Sequence, residues 1–467
     1  MSRMEKDLLG ERELPDNVYY GVQTLRGKEN FHITGRTVSR ELALIKAFGY
    51  VKKAAAKANM DCGALEKNIA GAIMAACDKL IAGRYANQFV TDLIQGGAGT
   101  SINMNFNEVI ANLALEILGR PKGDYATLSP NDHVNCSQST NDAYPTSFRL
   151  ALIMRLTEFS RTLGALQKAF ADKGEEFSGV LKMGRTHLQD AVPMSLGSEF
   201  KGFSTTIGEE IERVMESRGL LREINLGATA IGTRVNTPPG YPELAAAYLS
   251  EMTGVDFVLS KDLIEATSDT GAYVQLSGVL KRTAVKMTKI CNDLRMLASG
   301  PRCGLNEISL PQMQPGSSIM PGKVNPVIPE VVNQTCFLVI GLDTTVTLAA
   351  SAGQLQLNVM EPVIAFSLFT AISTMQNAFR ALTEHCIKGI AANPEHTEAY
   401  VMNSVGIVTQ LSPILGYKKC AEIAREAFDR NKSVHDIVVL ERKLVTQEKW
   451  EEVFSFENLI HPRYIKK

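Results

Sequence analysis

The chain has 467 residues, 45% hydrophobic and 21% charged, which fits a globular protein of two to four domains with ample material for a core. A formal net charge of −1 leaves no basic footprint for nucleic acid or an anionic membrane, so neither partner is expected. No uninterrupted apolar run reaches the roughly 18 residues that span a bilayer, and the eight cysteines are scattered without a C-x-x-C pair.

Free thiols in a reducing compartment follow from that cysteine pattern, rather than a disulfide framework or a zinc site. The seven histidines are equally dispersed, with no H-E-x-x-H. The N-terminal stretch MSRMEKDLLGERELP is charged where a secretory signal is apolar. A cytoplasmic location is expected.

Up to Asn135 the pattern is of short helices and frequent loops. Within it lies GGAGTSINMN (Gly96–Asn105), where Thr100 and Ser101 follow three glycines. A dinucleotide fingerprint fails there, because Ile102 stands where the third glycine belongs. A flexible turn and a cradle of donors both fit the composition. Next comes SQSTND (Ser137–Asp142), leading into a helical stretch from Asp142 to about Lys173. Ser139, Thr140 and Asn141 are N-cap residue types, and capping alone explains them. The same helix start also points free N–H groups at any anion placed on it.

GRTHLQDA (Gly184–Ala191) sets His187 between Thr186 and Gln189 in a polar stretch, although a lone histidine is more often structural than catalytic. A helix is predicted from about Leu196 to Leu221, then a long Gly/Pro-rich connection over Gly227–Pro242. From Asp262 to Ser299 the residues Tyr273, Leu276, Leu280, Thr283, Met287, Ile290, Leu294 and Leu297 alternate steps of three and four, a seam with one polar member. A helix of that length needs partners along its whole run, so a bundle is implied, shared between subunits.

GSSIMPGKVNP (Gly316–Pro326) is the densest polar segment, with two serines, two glycines, two prolines, Lys323 and Asn325. Glycine turns N–H groups toward a ligand, and proline restricts the loop. It is no Walker loop: five residues separate Gly316 from Gly322, and Val324 replaces the metal-binding hydroxyl. A carboxylate suits it better, with a plain surface turn as the alternative. A further helical stretch, Pro329 to about Ile390, should break or kink at Pro362. After about Pro394 a small tail holds the only tryptophan, Trp450. Three parts are expected: an N-terminal, mostly helical domain (1–138), a central long-helix bundle (139–394) and a small C-terminal helical domain (395–467).

Taken together, GGAGTSINMN, NDHVNCSQSTND, GRTHLQDAVPMSLG and GSSIMPGKVNP, in this order and spacing, resemble the signatures of the fumarase/aspartase superfamily, over nearly the whole chain. The resemblance implies an all-α, three-domain fold whose long central helices form a homotetrameric core. It also implies active sites each built from three subunits, and no organic cofactor. Details look like the aspartase branch. Thr140 follows Ser139 where fumarases usually carry a second serine. Ser129 precedes Pro130-Asn131-Asp132 where they usually carry histidine. GQLQLNVMEPV (Gly353–Val363) and NPVIPEVVNQ (Asn325–Gln334) also read as aspartase-like. Cys136, where relatives often have lysine, departs from the pattern.

That branch removes ammonia reversibly from L-aspartate to give fumarate, through an aci-carboxylate dianion. By the resemblance, Thr100, Ser101, Ser139, Thr140 and Ser318 bind the β-carboxylate. Lys323 and Asn325 hold the α-carboxylate, Asn141, Thr186 and His187 surround the amino group, and Ser317 is the general base. Fumarate hydratase and a non-catalytic structural protein on the same scaffold are the alternatives. Ala298-Ser299-Gly300 matches the tripeptide precursor of another ammonia-lyase electrophile, but three residues recur by chance.

Overall fold

The computed structural model describes residues 2–461 and Arg463. Contacts divide the chain into two units, each assembled from three separated stretches. The first comprises 1–161, 211–284 and 337–376; the second comprises 162–210, 285–336 and 377–467.

The first unit opens with a hairpin of β1 (Ser2–Asp7) and β2 (Gly10–Pro15), followed by α1 (Val22–Asn30), α2 (Leu42–Asp61), α3 (Lys67–Ile81) and α4 (Thr100–Ile117). The N-terminus of α1 is capped from a distance. Buried Glu108 of α4 accepts the N–H groups of Gly21, Gln23 and Thr24 at 2.8, 2.8 and 3.1 Å. Aromatic packing holds this part together: Phe106 stacks on Phe48 and on Phe89, with centroids 4.0 and 4.1 Å apart.

Five long helices follow: α5 (Thr140–Glu176), α6 (Leu196–Leu220) and three more named below. At 37 residues, α5 is about 55 Å long. Between α5 and α6, β3 (Leu181–Thr186) and β4 (Gln189–Ser195) form a tight hairpin in the second unit. The long connection after α6 is irregular, as its glycines and prolines require, and holds β5 (Glu223–Ile224), which pairs in parallel with β6 (Val258–Leu259) beyond α7 (Tyr241–Thr253).

The seam region is two helices rather than one, α8 (Leu263–Ser268) and α9 (Gly271–Leu297). Aspartates cause the break. Asp262 caps α8 through Ile264 N at 2.9 Å, and Asp269 accepts Gly271 N at 3.1 Å to start α9 afresh. Every predicted seam residue is buried, including Thr283, whose hydroxyl returns to Val279 O at 3.1 Å.

After β7 (Ile308–Ser309), the helical stretch predicted from Pro329 is also divided, into α10 (Val327–Ser351) and α11 (Glu361–His385). The break precedes Pro362, which sits harmlessly in the first turn of α11. Asn358 makes the stop: its amide donates to Ala349 O and Ala350 O, at 3.2 and 3.1 Å, satisfying the free carbonyls of α10.

β8 (Ala391–Ala392) pairs with β7, and the tail adds α12 (Pro394–Asn403), α13 (Ser412–Leu415), α14 (Tyr417–Arg430), α15 (Gln447–Val453) and α16 (Phe456–Ile460) around a separate core of Ile423, Ile437, Val438, Trp450 and Leu459. The chain is therefore dominated by helices, with four two-stranded ladders among the described residues.

Candidate active site

Two helix starts meet in the first unit. Gly97, Ala98 and Gly99 all have left-handed φ (88°, 55° and 91°), which swings the chain sharply into α4. A Cβ at Gly99 would stand 2.6 Å from the Tyr144 ring, so the turn and the packing both demand glycine. Thr100 opens the helix exposed, its hydroxyl donating to Gly97 O at 2.7 Å, and Ser101 is half-buried beside it.

At the second start, Ser139 accepts Asn141 N at 3.2 Å while Asp142 accepts Ser139 N at 3.0 Å. This is a reciprocal capping box with aspartate in the acidic position. Capping takes up Asn141 N, and Asp142 N returns to Ser139 O at 3.3 Å, so of these first-turn groups the N–H of Thr140 is the one the caps do not use. The buried carboxylate of Asp142 also accepts Gly227 N and Thr229 N, at 3.1 and 2.9 Å. Asn141 is held on both sides, donating to Ala230 O at 2.7 Å and accepting from Asn225 at 3.0 Å.

Behind this pair of helix starts lies a buried polar network. Asn135 Oδ1 accepts from Lys52 Nζ, Asn103 Nδ2 and Asn107 Nδ2 at 3.0, 3.1 and 3.1 Å. Lys52 Nζ also donates to Gln138 Oε1 at 2.9 Å. Both acceptors of the ammonium are neutral amides, so burial dominates and brings Lys52 down to about 7. Burial likewise pushes Asp142 up to about 7, against the N–H groups it accepts.

The segment Gly316–Pro326 is in the second unit and closes on itself. Gly316 N donates to Lys323 O at 2.7 Å, and Asn325 Nδ2 donates to Gly316 O at 2.6 Å. One N–H of Asn325 is thus spent on the loop, leaving its other groups for a ligand. Ser317 Oγ accepts two backbone N–H groups, from Ile319 at 3.2 Å and Met320 at 2.9 Å. Ser318 and Lys323 are exposed. Lys323 and Asn325 line a cavity of about 540 Å³ together with Arg295, Ser299 and Asn306.

Thr186 and His187 are also in the second unit, at the tip of the β3–β4 hairpin. Thr186 pairs with Gln189, so His187 and Leu188 form a two-residue turn, with φ of 54° and 60°. Both positions favour glycine or asparagine, and the chain spends backbone strain to hold a histidine there. His187 borders a cavity of about 370 Å³ with Lys182, Arg185 and Glu199.

The structure thus gathers Thr100, Ser101, Ser139, Thr140 and Asn141 in one unit. Thr186, His187, Ser317, Ser318, Lys323 and Asn325 are in the other. Lys52, Asn103, Asn135, Asp142 and Asn225 join this region only in the folded chain. The repeated asparagines of INMNFN and the S-x-x-D spacing were available signals; nothing in VKKAAAK marks Lys52 as buried.

Residues 10–341 match the family pattern described as lyase, and residues 407–461 match that described as fumarase C C-terminus. The aspartate ammonia-lyase of Helicobacter pylori strain 26695 is 55% identical over 465 residues, covering 100% of this chain and 99% of its own. That of Escherichia coli K12 is 55% identical over 463 residues, covering 99% and 97%. Among solved structures, a fumarate lyase:delta crystallin of Brucella melitensis, bound to cobalt, superposes with a TM-score of 0.95 at 50% identity, covering 98% of this chain and 99% of that one. A class II fumarase of Schistosoma mansoni gives 0.93 at 33% identity, covering 99% and 100%. The chain belongs to the lyase family that contains the fumarases and the aspartate ammonia-lyases.

Proposed function

We propose that this chain catalyses the reversible elimination of ammonia from L-aspartate to fumarate. The carrying observation is the environment of Ser317 Oγ, which accepts two backbone N–H groups at 3.2 and 2.9 Å. A serine hydroxyl is a poor base, but an alkoxide at this position keeps both donors, and Lys323 adds a positive charge on the same loop. Ser317 takes the proton from the carbon next to the β-carboxylate. The electron pair moves into that carboxylate as an aci-carboxylate dianion, then returns to form the double bond as the C–N bond breaks.

Thr100, Ser101, Ser139, Thr140 and Ser318 supply hydroxyl donors to the β-carboxylate, aided by the two helix starts. Lys323 and Asn325 hold the α-carboxylate. Asn141, Thr186 and His187 surround the amino group, and closure of the 316–326 loop excludes water. No step calls for an organic cofactor.

The reading includes a homotetramer with each site drawn from three subunits. Helix α10 supports it. It is long and apolar enough to cross a membrane by length and composition, yet only 28% of its most apolar stretch is buried within the chain. Val331, Phe337, Leu338 and Leu348 lie exposed along it, an apolar face that copies of the same chain would cover. The eight free cysteines support a cytoplasmic setting.

Incubation with fumarate and ammonium tests the activity. Loss of fumarate absorbance that requires ammonium is expected; loss without ammonium would point to hydration instead, and no loss at all would overturn the reading.

A further inference from the structure

We infer that Glu307 is the positioning residue that fixes the Thr186–His187 hairpin against the stem of the Ser317 loop, and so sets the amino-group subsite. The inference rests on the ammonia-lyase reading above and goes beyond it to a residue outside the four motifs.

On a regular strand Lys182 and Arg185 would face opposite sides, because side chains alternate with a period of two. The β3–β4 ladder instead shifts register between Met183 and Arg185, with Gly184 at the irregularity. A Cβ at Gly184 would lie 2.9 Å from Val192 O, so the bulge requires glycine. The extra residue lies on β4, where Ala191 and Val192 stand opposite Gly184 alone, and across this irregularity Lys182 and Arg185 converge.

Both then reach one carboxylate. Lys182 Nζ stands 3.0 Å from Glu307 Oε2, and Arg185 Nη1 stands 2.5 Å from Glu307 Oε1. Lys182 also meets Glu199 at 2.5 Å. Two cations and two carboxylates make a neutral cluster around a Glu307 side chain that is wholly buried. Removing one negative charge would leave an uncompensated buried cation, which folded chains tolerate poorly.

Glu307 is itself pinned by its backbone: its N–H donates to Leu297 O at 2.8 Å, and its carbonyl accepts Asn393 N at 3.0 Å. It directly precedes β7, and Ser317 follows ten residues later. A single carboxylate therefore joins the base of the strained hairpin to the strand from which the loop departs. The left-handed tip at His187 and Leu188 is unfavourable alone, and the clamp at its base is what over-determines it.

The test compares Glu307→Gln with the wild type in the full chain. Two ligands separate the subsites: L-aspartate, and succinate, which has both carboxylates but no amino group. The expected result is a fall in kcat/KM for aspartate of about tenfold or more, with the inhibition constant of succinate within about twofold of wild type. Amide exchange across residues 181–195 should quicken. In a His187→Ala background the Glu307→Gln change should add no further kinetic loss. Should Glu307→Gln fail to fold, Arg185→Gln removes one arm of the clamp and is expected to give the same selective loss.

A wild-type-like kcat/KM, or a succinate constant that worsens in step with aspartate, overturns the inference. Wild-type enzyme that leaves aspartate untouched overturns the ammonia-lyase reading instead, and the exchange measurement then judges the Glu307 clamp by itself: unchanged exchange sinks it.

Discussion

Asn103 donates through its side-chain amide to Thr140 Oγ1 at 3.2 Å, tying the first turn of α4 to the first turn of α5. A hydroxyl whose lone pair is already engaged keeps its own hydrogen to donate, which suits Thr140 to the β-carboxylate role proposed for it. Asn103→Ala should raise the KM for aspartate by about tenfold, the scale of a hydrogen bond to a charged group, while kcat changes less. Steady-state kinetics decide it; an unchanged KM removes Thr140 from the carboxylate subsite.

Ser317→Ala should fold normally and lose turnover by roughly 100- to 10,000-fold, the range for a positioned acid or base. Circular dichroism and the fumarate assay together check this. A near-wild-type kcat would refute the assignment of Ser317 as base.

Lys323→Ala is expected to act differently. The lysine is exposed on the loop, and the α-carboxylate proposed to bind it carries its charge throughout the reaction, so its loss should weaken ground state and transition state alike. KM should rise by roughly tenfold or more with kcat reduced far less. A pure kcat effect would move Lys323 to the reacting carbon.

Glu361 gives a pH test. It opens α11 as a buried residue, and burial pushes its carboxyl from 4.5 up to about 8, with Arg149 opposing in part. The folded state therefore holds the proton more tightly than the unfolded state. The stability this group contributes is complete below about pH 4.5 and is lost as pH rises through about 8. Glu361→Gln is neutral throughout, so the melting-temperature advantage of wild type over the variant should shrink from pH 5 to pH 8, values chosen to lie roughly within that window. A constant difference across that range would mean the carboxyl is not titrating as burial dictates.

Phe337, on α10, is 58% exposed in the single chain. Placing a charge there by Phe337→Glu should break the proposed homotetramer into smaller species, since an ion cannot be buried at an apolar contact without a partner. Light scattering on the purified variant reads the result, and an intact tetramer would place the interface elsewhere.

Legibility in the sequence followed the range of the forces concerned. The period of the α9 seam is local, and all its members are buried as the spacing demanded. The S-x-x-D box at Ser139–Asp142 is local too, and its geometry is the one that capping chemistry dictates. The break at Asp269 was missed because an aspartate next to threonine and glycine competes with helix continuation only weakly in pattern, yet decisively once its carboxylate caps Gly271. The hairpin at His187 was hidden for another reason. Its turn lacks the asparagine or glycine that announces such turns, and the base that stabilises it includes Glu307, more than a hundred residues away. Lys52 was illegible on the same ground: its acceptors Asn135 and Gln138 come to it only through the tertiary fold.

Five helices, α5, α6, α9, α10 and α11, each begin in one unit and end in the other. Neither unit is therefore a contiguous stretch that a ribosome finishes before starting the next. Every fragment cut at a loop carries long helices whose apolar stripes have lost their mates, so severed pieces should clump when made singly. A split version of this protein should regain its shape only when both pieces are present together.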